Sequence, residues 1–78
     1  MDDGNVGTPL TPREFVMEKE QFKGYVTEYE FGWVWEIERD DEYYHKGAAL
    51  SGPTAARNIK SMINVFLRLK ENDVEKDT

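Results

Sequence analysis

The sequence predicts an α+β domain: a three-stranded antiparallel sheet packed on a long C-terminal helix, with a short N-terminal helix. Three observations predict it. In Gly32-Trp33-Val34-Trp35-Glu36-Ile37-Glu38 the side chains alternate, so Trp33, Trp35 and Ile37 share one strand face and Val34, Glu36 and Glu38 the other. Tyrosine-rich segments on either side alternate too and are separated from it by turn residues. From Thr54 to Lys70 the apolar residues recur at helical spacing.

Taken in order, Met1 to Leu10 read as a flexible leader without periodicity. Thr11-Pro12-Arg13-Glu14 has the form of a helix start: Thr11 as cap, Pro12 at the first helical position, Glu14 completing a capping box, Leu10 and Phe15 as a hydrophobic staple. That helix is expected to end near Glu20 or Gln21. Gly24 then separates it from a strand, Tyr25 to about Glu30, and Phe31-Gly32 is the expected turn. A second strand runs from Trp33 to Arg39, Asp40-Asp41 turns the chain, and a third strand runs from Glu42 to about Ala48. With a two-residue loop Ile37 faces Tyr44 and Glu36 faces His45; one residue more shifts every pair.

Ser51 or Thr54 caps the long helix. Ala55, Ile59, Met62, Ile63, Phe66 and Leu69 form its inner stripe, and Val65 and Leu67 widen the apolar arc to roughly 200°, twice what one core-facing helix needs. The surplus, over Met62, Val65, Phe66, Leu67 and Leu69, predicts a homodimer interface. Residues 11–71 thus form a single domain, followed by a charged flexible tail over 72–78.

The totals narrow the function. Seventy-eight residues carry a net charge of −6 and no cysteine, which excludes disulfides and thiolate metal sites. No apolar run reaches the ~18 residues of a membrane span, and the acidic N-terminus is unlike a signal peptide, so a cytoplasmic protein is expected. The charge is unevenly spread. Seven acids between Tyr25 and Lys46 (Glu28, Glu30, Glu36, Glu38, Asp40, Asp41 and Glu42) meet only Arg39 and Lys46. Between Ser51 and Glu71 four bases meet one acid.

The order W-x-W-x-I, acidic turn, aromatic strand, then Ser51-Gly52-x-x-Ala55-Ala56-x-x-Ile59-x-Ser61-Met62 resembles an uncharacterised family of strand–strand–strand–helix units that is often duplicated in tandem. The resemblance covers about residues 25–66 and implies a fold without implying an active site. The layout is also similar to sheet-plus-helix DNA-binding domains of plant transcription factors and recombinase arms. Those read DNA with strand arginines, where this chain has glutamates.

No catalytic constellation is legible. His45 is the lone histidine, no Ser-His-Asp set or phosphate loop is present, and alternation scatters Asp40, Asp41, Glu42 and His45 over both hairpin faces. No cofactor or metal is expected. Trp33, Trp35, Tyr29 and Tyr44 read as core rather than as a base-stacking platform, because such platforms lie in basic grooves. The function expected is a non-enzymatic interaction protein, comparable in size and charge to small phage-encoded inhibitors. Its seven strand and turn acids would engage a basic protein partner. Two such strands offer one negative charge per ~3.3 Å, about half the density of duplex DNA, so inhibition of a DNA-binding enzyme or regulator as a DNA mimic is one form of this reading. The alternatives are a nucleic-acid-binding module using Arg57, Lys60, Asn64 and Arg68, or a structural homodimer subunit.

Overall fold

A computed structural model describes residues 6–77, with side chains through Leu69. Four strands, β1 (Glu14–Lys19), β2 (Phe22–Tyr29), β3 (Gly32–Arg39) and β4 (Glu42–Ala49), form one antiparallel sheet in the order β1-β2-β3-β4. The helix α1 (Gly52–Asp77) lies across one face. The α+β class stands, with two corrections: the sheet has four strands rather than three, and among the described residues there is no N-terminal α-helix.

The segment expected to be that helix is β1. Its capping pattern competes with a stronger demand, since an isolated helix this short is marginal and β2 would otherwise present an open edge. A bulge between Phe15 and Met17 lets consecutive residues Val16 and Met17 both pack on the core, a placement plain alternation forbids. Phe15 instead meets the Tyr25 ring edge-on at 5.8 Å on the far face. Thr11 caps nothing; its hydroxyl accepts the Glu28 N–H at 3.4 Å.

Of the expected leader, Met1–Asn5 lie outside the described residues. Val6 to Leu10 run beside the end of β2: the Leu10 N–H donates to the Glu28 carbonyl (2.7 Å) and the Phe31 N–H to the Val6 carbonyl (2.9 Å). The expected tail falls where side chains lie outside the description; the backbone is helical to Asp77.

The β2–β3 loop is Glu30-Phe31, one residue earlier than expected, and Gly32 already belongs to β3. Asp40 (φ 53°) and Asp41 (φ 66°) both adopt the left-handed conformation of a two-residue hairpin turn. That loop length does not produce the simple register, because a bulge in β4 pairs Ile37 with His45 and Glu36 with Lys46. As a consequence Tyr44 and His45 both reach the helix-covered face, each against Phe66, at 4.8 and 5.7 Å.

The core consists of Phe22, Val26, Trp35, Ile37, Ala55, Ile59 and Ile63. Gly24 lies inside β2 rather than before it, and a methyl group there would overlap Ile59 Cγ2. A methyl at Gly47 would overlap the Trp35 indole, 2.7 Å from Cε2. These two glycines let α1 and the indole sit down on the sheet. Ser51 is the helix cap: its hydroxyl accepts the Thr54 N–H at 3.3 Å, and its carbonyl accepts the Ala55 N–H at 3.0 Å. Among the described residues no helix is long and apolar enough to cross a membrane.

Candidate functional site

The register assigns every strand residue a face. Beneath α1 lie Phe22, Gly24, Val26 and Glu28 of β2 opposite Arg39, Ile37, Trp35 and Trp33 of β3. The uncovered face carries Lys23, Tyr25 and Thr27 opposite Glu38, Glu36 and Val34, with Tyr43 and Lys46 beyond them on β4. Tryptophans and glutamates therefore separate to opposite sides of β3. Trp35 is only 6% exposed, which removes it as a stacking platform, and its buried Nε1–H has no hydrogen-bond partner among the described residues.

The seven acids expected to bind a partner occupy three places. Glu36 and Glu38 lie on the uncovered face, where Arg13 reaches across from the segment before β1 to Glu38 Oε2 (2.9 Å) and Glu36 Oε1 (3.6 Å). The same guanidinium lies 4.0 Å above the Tyr25 ring centroid. The hydrogen bond that Arg13 donates to Glu38 raises the guanidinium pKa, against an opposing effect of burial. Glu28 and Glu30 are at the end of β2, where the Glu30 carboxylate accepts the Thr8 N–H at 3.4 Å.

Asp40, Asp41 and Glu42 are at the opposite end, about 26 Å away along an eight-residue strand. There the Asp40 N–H donates to the Gln21 carbonyl at 2.9 Å, so the β1–β2 and β3–β4 turns lie side by side. This adds Glu20, itself left-handed (φ 59°), and Glu18 to the same end. Reading β1 as a helix hid both, and no clean alternation marks the strand, because Phe15, Val16 and Met17 are consecutive apolar residues and the bulge breaks their period.

The cations at this acidic pole are already engaged. Lys23 holds Asp41 at 2.7 Å, and this hydrogen bond raises the lysine pKa. Lys19 donates to Asn64 Oδ1 at 3.1 Å, and Arg39 lies over the Tyr44 ring at 5.6 Å. Glu20, Asp40 and Glu42 are left exposed with no ion pair among the described residues. No group of three or more His, Asp or Glu side chains is arranged to hold a metal ion among those residues.

On α1 the expected dimer stripe divides. Met62, Phe66 and Leu67 are half-buried against the sheet, leaving Val65 (41% exposed) and Leu69 (54%) in water. Arg57, Lys60 and Arg68 are exposed on the back of the helix; Asn64, between them, is half-buried and turned to Lys19. The molecule thus has an acidic pole on the sheet and a basic ridge on the helix.

Comparison with known proteins places this arrangement. The model of a family described as MmoD, methane monooxygenase component D, matches residues 15–67, more than half of the chain, from within β1 to late in the described part of α1. That match bears out a small family over much of the same stretch and leaves the resemblance to a tandemly duplicated family unconfirmed. No curated protein matches the chain.

Proposed function

The chain belongs to the methane monooxygenase component D family, and from that premise we propose that it is a non-enzymatic protein component that docks, through its acidic pole, on a basic surface of methane monooxygenase. Membership in a family described as a component of a larger enzyme carries the reading, because a component needs a protein partner. The exposed carboxylates of Glu20, Asp40 and Glu42 support the polarity of the contact. They stand on two hydrogen-bonded turns, so little ordering is required on binding. Glu28, Glu30, Glu36, Glu38 and Asp41 contribute field rather than direct contacts, since Arg13 and Lys23 already engage three of them. Docking of this kind occludes the basic surface to any other acidic ligand.

The family's description supports a methane monooxygenase component, rather than a DNA-binding protein, as the basic partner. The DNA-mimic form of the reading has less support, because Arg13 and Lys23 interrupt the row of carboxylates. The homodimer also loses support, because most of its stripe already packs on the sheet.

The test is capture of purified methane monooxygenase by the immobilised chain. Capture should weaken as salt rises, and Asp40→Asn, which suits the left-handed turn, with Glu42→Lys should reduce affinity about tenfold or more with little change in thermal midpoint. Capture indifferent to both salt and charge reversal would remove the acidic pole as the contact.

A further inference from the structure

α1 presents a second surface of opposite polarity. Between Gly52 and Leu69 the helix has three bases, Arg57, Lys60 and Arg68, and no acid. All three bases are exposed and have no ion-pair partner among the described residues, although the remainder of the chain is strongly acidic. At 100° per residue Arg57, Ser61 and Arg68 fall within one narrow ridge, with Lys60 on its far side. Val65, Leu69 and the half-buried Met62 form an apolar strip along the other side. The three strip residues are spaced i, i+3 and i+7, as the anchors of a helix laid in a groove are.

We propose that this flank of α1 is a second docking surface that fits an apolar groove rimmed with carboxylates on a protein partner, so that the chain bridges a basic surface and an acidic one. Charge selects the occupant. A second copy is disfavoured, because two identical helices meeting about a two-fold axis in antiparallel array place the same flank against itself, base ridge to base ridge. A duplex is disfavoured because net charge −6 repels phosphates over most of the molecule, and because the strip beside the ridge is apolar. An acidic groove satisfies both the bases and the strip.

The inference rests on methane monooxygenase being the partner, and capture of that enzyme tests it. Three variants of the whole chain are compared with the unaltered protein: the ridge reversal Arg57→Glu with Lys60→Glu and Arg68→Glu, the strip change Val65→Ser with Leu69→Ser, and the pole reversal Asp40→Asn with Glu42→Lys. The ridge and strip residues are exposed, so circular dichroism and thermal midpoint should change little. The expected result is a loss of affinity of about tenfold or more in both helix variants. If the unaltered chain binds and the helix variants match it, the second surface is refuted and the acidic pole stands. If the helix variants fail and the pole reversal binds normally, the pole is refuted and the second surface stands. No capture by the unaltered chain overturns both. Concentration-dependent doubling of mass that the strip change abolishes, or tighter binding of duplex DNA than of the enzyme, would also overturn the assignment.

Discussion

Gly24→Ala tests how the sheet and helix are joined. The added methyl would overlap Ile59 Cγ2 and lie 3.3 Å from Cδ1, and Ile59 is fully buried among the residues that seat α1. Neither backbone nor side chain can yield without disturbing the core, so the overpacking penalty is about 1–3 kcal/mol. The lower chain entropy of unfolded alanine offsets about 0.4–1 kcal/mol, leaving a net loss near 1–2 kcal/mol. For a domain of this size that lowers the thermal midpoint by roughly 4–16 °C. Ile59→Leu supplies the internal control, because leucine keeps the volume but has no methyl on Cβ. The double variant should be more stable than the sum of the single changes by at least about 0.5 kcal/mol, measured by urea unfolding. An unchanged midpoint in Gly24→Ala, or strict additivity, would mean that α1 does not rest on β2 at this point.

Gly47→Ala should cost a similar amount, about 1–3 kcal/mol, because the methyl meets the rigid Trp35 ring, and the emission spectrum should change with it. Ser51→Ala removes the acceptor of the Thr54 N–H and should cost about 0.5–2 kcal/mol by thermal denaturation, whereas Ser51→Asp should preserve stability. Ser61→Glu places a carboxylate on the exposed helix ridge, i+4 from Arg57. Stability should hold or rise by a few tenths of a kcal/mol while capture of methane monooxygenase weakens, and weakening of both together would contradict the separation. The Lys23 pKa is raised by its bond to Asp41, so that pair's stabilisation is fully present below the ordinary lysine range and is lost as pH rises through the raised value. The midpoint should fall in that alkaline window, and Lys23→Met should flatten the fall.

What could be read from the residues followed the strength of local patterning. The Trp33–Trp35–Ile37 alternation, the Asp40-Asp41 turn and the apolar stripe of α1 were legible because each is repeated, long or chemically specific. β1 was misread because Thr11, Pro12 and Glu14 form a helix-start signal that only tertiary pairing with β2 overrides. Gly24 was misread as a separator because a glycine that admits Ile59 looks the same in sequence as one that breaks a strand. The β4 register was illegible because bulges carry no reliable signature. Of the seven acids only Glu36 and Glu38 share the uncovered sheet face, and Glu20 joined the pole through a turn-to-turn hydrogen bond that no local pattern encodes.

Stability explains the paired charges on the sheet and leaves those on the helix without a pairing role. Arg13 meets Glu36 and Glu38 on the uncovered face, and Lys23 meets Asp41 at the adjoining turn. Such pairs relieve repulsion between carboxylates held close by the pleat. A helix selected only to cover this sheet would gain from acids in its first turn and from acid–base pairs four residues apart along its back. α1 has no acid in its first turn, and between Gly52 and Leu69 its only charges are the three exposed bases. Those bases hold the net charge at −6, where their loss would make it −9, and so relieve general repulsion, but none of them pairs with a carboxylate among the described residues. The proposed acidic groove would give them that pairing, and their opposite sign to the pole would then set two separate demands on the partner.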